Sequence, residues 1–191
     1  MKTAKLVIIG ESGVGKTCIA KRQYQNLFDN ESRPTIGSGH FRDTIKGNKN
    51  TVILETWDTA GAEQYRALTP IYFKEAGAAM IVFDITSRQS FEEVKSFDEI
   101  LKNNALEVPT YLVGNKNDRD ESRQVTLKEG SDMANQIGAE MYIETSALTG
   151  ENIKSLFMHV VDNPKLQCLR FDNAQVEIAN PENDEKQKCG C

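Results

Sequence analysis

Hydrophobic residues follow two different patterns along this chain, and the order of the patterns predicts its architecture. Continuous apolar runs of strand length occur at residues 5–9, 78–84 and 110–114. Apolar residues at helical spacing occur at residues 18–24, 90–104, 127–137 and 152–161. The runs are typical of strands buried on both faces of a sheet, and their alternation with helices predicts an α/β fold with a mostly parallel sheet.

Two further segments, 41–45 and 51–56, alternate apolar and polar residues on either side of a polar turn, which predicts an antiparallel hairpin. Residues 140–143 predict a short last strand. We therefore expect a three-layer fold, with a six-stranded, mostly parallel sheet, one antiparallel strand and helices on both faces. Such sheets bind ligands at the carboxyl ends of their strands, and the candidate motifs all lie there.

The first candidate motif spans residues 10–17 and fits the phosphate-loop pattern G-x-x-x-x-G-K-[ST] at every fixed position. Its glycines allow a tight turn whose N–H groups reach phosphate oxygens, and the following helix directs its positive end at the same anion. Lys16 would neutralise the β- and γ-phosphates, and the Thr17 hydroxyl would hold Mg²⁺. The motif alone leaves an ATP kinase, an ATPase and a GTPase open.

Three further residues could contribute to a triphosphate and metal site. Asp58 ends a predicted strand, where it suits Mg²⁺ binding or merely caps a turn. Gly61 offers a backbone N–H to a γ-phosphate, and Thr35 lies in a polar loop from which its hydroxyl could reach the metal. Thr35 alone is a weak signal.

The sequence Asn115-Lys116-Asn117-Asp118 indicates which base is bound. A carboxylate such as Asp118 can accept the N1–H and the N2–H₂ of guanine, and adenine lacks both donors. Lys116 can lie along the ring and support the phosphate loop, while Asn115 can connect neighbouring loops. A polar turn after a strand is the alternative. Residues 146–148 could contact the base carbonyl, and Phe28 either stacks on the base edge or packs in the core.

Composition excludes several classes of protein. The 191 residues suffice for one domain, and 39% hydrophobic and 27% charged residues are ordinary for a globular protein. A formal net charge of −5 without a basic run argues against nucleic acid as a partner. No apolar run approaches the ~18 residues of a membrane span, and no signal peptide is evident. We expect a domain at 1–164 and a disordered tail at 165–191.

Four cysteines are too few and too unevenly placed for a disulfide framework, which favours the reducing cytosol. Cys189 and Cys191 could form a free dithiol, a metal pair or a lipid acceptor. A metal site would need about two more ligands. The tail has no polybasic run, so stable membrane attachment would require two lipid chains.

Together, the phosphate loop, Thr35 and residues 58–61, 115–118 and 144–147 resemble the ordered motifs of the Ras-superfamily small GTPases, a group of phosphate-loop NTPases, over about residues 4–164. Within this superfamily the chain is most similar to Rab proteins, because Trp57 precedes Asp58 and the sequence ends in Cys-x-Cys. Residues 65–73 and 81–86 resemble the early-endosomal Rab subgroup.

The resemblance implies a Mg²⁺-dependent switch that hydrolyses GTP to GDP and regulates vesicle traffic, with residues 29–41 and 59–76 ordering around the γ-phosphate. The implied catalytic positions are Lys16, Thr35, Gly61 and Ala62, and the metal ligands are Thr17, Thr35 and Asp58. The implied nucleotide-binding residues are Ser12, Gly13, Val14, Gly15, Lys16, Thr17, Cys18, Phe28, Thr35, Gly61, Asn115, Lys116, Asp118, Ser146, Ala147 and Leu148. The implied effector surface comprises Ile36, Phe41, Trp57 and Tyr72.

The same resemblance implies geranylgeranyl groups on Cys189 and Cys191. Its implied partners are an exchange factor, a GTPase-activating protein, effectors and a GDI or escort protein. A monomer that cycles between the cytosol and the cytoplasmic face of intracellular, in particular endosomal, membranes is expected.

The chain departs from the family at Ala62, where members usually carry a glutamine that orients the attacking water. Alanine has no donor or acceptor, so we expect slow intrinsic hydrolysis. Glu63 is one residue away and would bring negative charge to an anionic transition state. The alternative function is a nearly non-hydrolysing GTP-binding adaptor that is controlled by exchange or abundance.

A second departure concerns the effector surface. Rab proteins usually place an aromatic residue four positions after the isoleucine of Thr-Ile-Gly, and here His40 has that spacing while Phe41 follows it. Either His40 replaces the aromatic residue, or the strand shifts by one residue and Phe41 lies beside Trp57 and Tyr72. Such a shift would turn the following side chains to the other face unless a bulge absorbs it.

Overall fold

The computed structural model describes residues 2–28, 38–59, 72–105 and 107–169. Within these ranges the strands are β1 (Lys2–Ile9), β2 (Ser38–Lys46), β3 (Thr51–Thr59), β4 (Ala78–Asp84), β5 (Thr110–Asn115) and β6 (Met141–Thr145). The helices are α1 (Lys16–Gln25), α2 (Arg88–Glu92), α3 (Val94–Asn104), α4 (Leu127–Ile137) and α5 (Ile153–Asp162), with a 3₁₀ helix at Asn117–Ser122.

The strands form one sheet in the order β2-β3-β1-β4-β5-β6. β2 pairs antiparallel with β3, and every other neighbouring pair of strands is parallel. The predicted fold class is therefore confirmed. Strand order reverses at β1, which lies between β3 and β4, and this is where an open α/β sheet forms its ligand crevice.

Alternate residues of β1 point to opposite faces of the sheet, and each face has its own core. Leu6 and Ile8 belong to the core on the side of α1 and α5, where Leu156 and Phe157 are fully buried. Val7 and Ile9 belong to the core on the side of α2, α3 and α4, together with Phe91, Phe97 and Met133. All residues of β4 and β5 are buried, as their continuous apolar sequence predicts.

The structure corrects two predicted boundaries. The helix expected at 90–104 is two helices, α2 and α3, and Ser87 caps α2 by accepting a hydrogen bond from the Ser90 N–H. Residues 165–169, which were expected to belong to a disordered tail, lie on the domain, where Leu166 and Cys168 pack against the core and Cys168 forms a backbone β-bridge with Ala4. None of the helices in the described ranges has the length and apolar character to cross a membrane.

Candidate functional site

The phosphate loop connects β1 to α1 at the point where strand order reverses. Gly10 and Gly15 both have positive φ, 143° and 99°, which L side chains rarely adopt. A Cβ on Gly10 would collide with the Val82 carbonyl oxygen, and a Cβ on Gly15 would collide with the side-chain amide of Asn115. The loop therefore requires glycine at both positions for conformation and for space.

Lys16 occupies the interior of this loop and is only 5% exposed. Its Nζ donates to the carbonyl oxygens of Gly10 at 2.8 Å and Glu11 at 2.7 Å, so two backbone groups hold the amine in the loop. Burial lowers the pKa of Lys16 to about 8, although the negative charge of Asp58 opposes this shift. An anion bound in the loop would favour the charged ammonium, because it would replace the solvation that burial removes.

Thr17 and Asp58 meet beside the lysine. The Thr17 hydroxyl donates to Asp58 Oδ2 at 2.5 Å, and Asp58 is fully buried at the end of β3. Burial raises the pKa of Asp58, and the hydrogen bond from Thr17 opposes that rise. Among the described residues, Asp58 Oδ1 is buried without a hydrogen-bond partner, so one carboxylate oxygen is available for a cation.

This pair fits Mg²⁺. Hard cations prefer oxygen ligands, and Mg²⁺ is usually held by one or two protein groups together with phosphates and water. The described residues contain no cluster of three or more His, Cys, Asp or Glu side chains suited to a metal. Thr17 and Asp58 would hold the ion, which would neutralise phosphate charge when bound.

Asn115 connects three loops at the carboxyl edge of the sheet. Its Nδ2 donates to the Val14 carbonyl oxygen at 2.8 Å, while its Oδ1 accepts from Thr145 Oγ1 at 3.2 Å and from the Ala147 N–H at 3.3 Å. The side chain is 1% exposed, so these bonds replace the water that it loses on burial. The connecting role predicted for Asn115 agrees with this geometry.

Lys116 supports the phosphate loop from the other side. Its Nζ donates to the Gly13 carbonyl oxygen at 2.8 Å and lies 2.6 Å from Asp84 Oδ2. Asp84 ends β4, and sequence reasoning missed it although a carboxylate at the end of a buried parallel strand is a recognisable signal. The ion pair and the hydrogen bond together hold the Lys116 amine against the loop.

The residues predicted to select the base lie together. The Ser146 hydroxyl donates to Asp118 Oδ1 at 2.5 Å, Ala147 is buried and Leu148 is 44% exposed. Phe28 is half-buried and packs against the core on the α1 side, so its packing role agrees with the structure and its stacking role stays a prediction.

Arg22 also belongs to this edge and was missed by sequence reasoning. From α1 it donates through Nε to the Ala147 carbonyl oxygen at 2.8 Å and through its guanidinium to the Leu148 carbonyl oxygen at 2.7 Å. A cation in the last turn of a helix gives no signal for a contact made 125 positions away in the chain. Arg22 thereby fixes the backbone of the loop that is predicted to contact the base.

Of the two arrangements expected for the effector surface, the structure has the one in which His40, and not Phe41, lies beside Trp57 and Tyr72, and the effector role of these residues stays a prediction. His40 is the residue opposite Trp57 in the β2–β3 register, their ring centroids are 4.9 Å apart, and Trp57 and Tyr72 are 6.0 Å apart. Phe41 points to the other face, where it stacks on Tyr24 with centroids 5.4 Å apart. The pairing runs from Ser38 to Lys46 one residue at a time, so no bulge restores Phe41 to the surface.

Six of the predicted site residues lie outside the described part of the chain: Thr35, Ile36, Gly61, Ala62, Cys189 and Cys191. Their roles stay predictions. The described residues nevertheless bring together the phosphate loop, the Thr17–Asp58 pair and the loops that are predicted to select the base.

A glycine loop with an enclosed lysine, placed where the strand order of a parallel sheet reverses, defines a phosphate-loop protein that binds a nucleoside phosphate. At the same edge Asp118 accepts a hydrogen bond from Ser146 and presents a carboxylate, the kind of group that paired N–H donors of a base would require. The family model described as Ras family matches residues 5–165. The chain belongs to the Ras family, and its domain is that of a small GTPase, a class that binds GTP and GDP with Mg²⁺.

Proposed function

We propose that this chain is a Rab-type GTPase switch that regulates vesicle or endosomal membrane traffic from the cytoplasmic face of the membrane. The observation that supports the proposal best is the adjacency of Trp57 and Asp58 on β3. Asp58 faces Thr17, with which it forms the buried pair that would bind the metal, whereas Trp57 faces His40 and Tyr72 on the surface. A partner that covers the three rings would therefore contact the residue next to the one that holds Mg²⁺.

The chain's own residues have separate tasks in this switch. Lys16 and the loop N–H groups bind the phosphates, Thr17 and Asp58 bind the metal, and Asp118 selects guanine. Thr35 and Gly61 would contact the γ-phosphate only while it is present, so that the segments around them change conformation after hydrolysis. An exchange factor would load GTP, and effectors would bind the ordered segments.

Hydrolysis is expected to be slow because Ala62 stands where the water-orienting glutamine is usual. Single-turnover hydrolysis of preloaded GTP should be at least about tenfold faster for Ala62→Gln than for the natural chain, with GTP affinity unchanged. Glu63→Gln is the matched control, because it supplies an amide one residue away. Equal rates for the Ala62→Gln protein and the natural chain would refute the role given to Ala62.

A nearly non-hydrolysing GTP-binding adaptor is the second candidate, and Ala62 favours it. The two functions differ in their response to a GTPase-activating protein, which can supply an arginine and a water-positioning group in trans. Stimulated turnover of the natural chain supports the switch. Turnover that stays at the basal rate while effectors remain bound supports the adaptor.

Membrane attachment would use geranylgeranyl groups on Cys189 and Cys191, delivered by an escort protein and withdrawn by a GDI. One lipid chain gives only marginal attachment without a basic patch, so both cysteines are needed. Replacing both with serine should move the protein from the membrane fraction to the cytosol and leave GTP affinity intact. A double variant that stays on membranes would exclude lipidation at these two positions.

A further inference from the structure

The chain does not leave the domain where α5 ends. After Asp162 it turns and runs back along the start of β1, and we call residues 163–169 the C-terminal strap. The Leu169 N–H donates to the Thr3 carbonyl oxygen at 2.7 Å, the Gln167 N–H donates to the Gly77 carbonyl oxygen at 3.2 Å, and Cys168 pairs with Ala4. The strap therefore pairs with the edge of β1 that β4 leaves open before Ala78.

Side chains hold the strap as well as its backbone. Asn163 donates through Nδ2 to the Tyr111 hydroxyl at 2.8 Å, and Gln167 donates through Nε2 to the Glu107 carbonyl oxygen at 2.6 Å. Leu166 and Cys168 pack against the core on the α1 side. Docking of the strap thus depends on the sheet, on the segment before β5 and on a hydrophobic contact.

Gly77 is the point where the strap meets the rest of the chain. A Cβ at this position would collide with the Gln167 carbonyl oxygen, although the glycine does not have a left-handed backbone that would itself require glycine. The Gly77 N–H donates to the Lys5 carbonyl oxygen at 2.8 Å. The space above Gly77 is therefore filled by the strap.

Gly77 also directly follows the end of the segment expected to respond to nucleotide, residues 59–76. Within its described part, Phe73 is 1% exposed, and the Lys74 carbonyl oxygen accepts a hydrogen bond of 2.7 Å from Lys5 Nζ. The same Lys5 Nζ lies 4.9 Å from the ring centroid of Trp57. Lys5 thus contacts Gly77 through its carbonyl oxygen, and it contacts both the switch segment and the aromatic surface through its ammonium group.

We propose that docking of the C-terminal strap is coupled to the bound nucleotide through Gly77 and Lys5, so that the root of the tail responds to the state of the switch. The inference rests on the proposed switch function, because it needs residues 72–76 to differ between the GDP and GTP states. Coupling of this kind is reciprocal: if the nucleotide changes the docking equilibrium by some factor, release of the strap changes the relative affinity for the two nucleotides by the same factor.

The test is amide hydrogen exchange of the full chain, followed by NMR, with GDP or a non-hydrolysable GTP analogue and Mg²⁺ bound. The amides of Gln167 and Leu169 report docking directly, because both donate hydrogen bonds to residues outside the strap. We expect their protection to differ about fivefold or more between the two states, the lower limit of typical coupling factors. The Val113 amide in β5 is the internal reference.

Two variants release the strap by different routes. Gly77→Ala places a methyl group against Gln167, and Leu169→Pro removes the N–H that bonds Thr3 without adding atoms near Gly77. Both should abolish the protection of Gln167 and change the ratio of the GDP and GTP-analogue affinities by the factor measured in the natural chain. Lys165→Ala is the control within the strap, since it removes only an exposed ion pair with Glu140 and should change neither quantity.

Equal protection of the strap amides in both nucleotide states, with residues 72–76 changing their chemical shifts, would overturn the coupling and leave the switch intact. An unchanged affinity ratio in Leu169→Pro, with protection lost, would overturn it as well. If residues 72–76 have identical chemical shifts in the GDP and GTP-analogue states, the proposed switch function is refuted, and the coupling that rests on it is refuted too.

Discussion

The nucleotide edge and the aromatic surface lie on either side of the same strand end but are built differently. At the nucleotide edge, Lys16, Asn115 and Lys116 hydrogen-bond to the backbone of neighbouring loops, and Lys16 and Asn115 are almost fully buried. At the aromatic surface, His40, Trp57 and Tyr72 meet ring against ring, and the nearby Arg42–Glu55 pair, 3.3 Å apart, includes a half-exposed arginine.

The difference indicates how each region tolerates change. A buried polar network leaves donors and acceptors unsatisfied when one member is removed, so substitutions there act on affinity by orders of magnitude. Contacts between exposed or partly buried rings can be exchanged at a lower cost to folding, which leaves such a surface free to differ between proteins that bind different partners. Substitutions in both regions test this contrast.

Removal of Lys16 should have the largest effect. Lys16→Ala deletes a charge that would bond two phosphates, and charged hydrogen bonds are worth ~1.5–3 kcal/mol each, so GTP and GDP affinity should fall about 10³-fold. Fluorescent-nucleotide titration in excess Mg²⁺ measures the loss. Lys128→Ala, which removes a lysine whose side chain is 84% exposed, is the control and should change nothing. A loss below tenfold would mean that the loop binds phosphate without its lysine.

Asp118 should show the next largest effect, and it should be specific to the base. Asp118→Ala leaves the two guanine donors unpaired and should weaken GTP binding by about 10²-fold, with ATP binding unaffected. Asp120→Ala is the matched control for Asp118→Ala, because Asp120 is a nearby aspartate whose side chain is 74% exposed and pairs with Arg123. Parallel titrations with GTP and ATP distinguish the two variants. Similar losses in both variants would place the selectivity elsewhere.

Adjacent residues of β2 should differ in their effect on stability. Phe41→Ala removes a half-buried ring that stacks on Tyr24 and should lower the free energy of unfolding by about 2–3 kcal/mol. His40→Ala removes an exposed ring and should cost less than about 1 kcal/mol. Urea denaturation at one fixed concentration of GDP and Mg²⁺ compares them, because bound nucleotide adds equally to both. Equal costs would contradict the faces assigned to these residues.

The same comparison explains what could be predicted from the sequence. The phosphate loop and residues 115–118 need particular residue types at fixed spacing, so their geometry followed from identity alone. The bounds of β4 and α4 also agree with prediction, because both elements have strong sequence patterns. β4 is a continuous apolar run, and α4 begins with a capping box formed by Thr126 and Glu129.

The features that escaped prediction depend on pairing over long distances. The register of β2 on β3 decides whether His40 or Phe41 faces Trp57. The alternation of apolar and polar residues does not determine this register, because His40 and Phe41 are adjacent and both carry aromatic rings. The strap pairs Cys168 with Ala4, and its sequence lacks the apolar run of a buried strand. Such contacts can be identified only when the order and register of the strands are known.

Replacement of Arg22 should have the smallest effect, because Arg22 contacts the nucleotide edge through hydrogen bonds to backbone carbonyl oxygens and otherwise bonds Asn26 at the end of its own helix. Arg22→Ala removes the bonds to the Ala147 and Leu148 carbonyl oxygens and should loosen the loop that contacts the base, so that GDP dissociates about tenfold faster. Stopped-flow release of fluorescent GDP measures the rate. Arg22→Lys supplies one charged donor in place of a planar fork and should recover only part of the loss, because lysine cannot bond both carbonyls in the same geometry. Arg42→Ala, at the aromatic surface, should leave the rate unchanged, and an equal acceleration there would show that the two regions share one network.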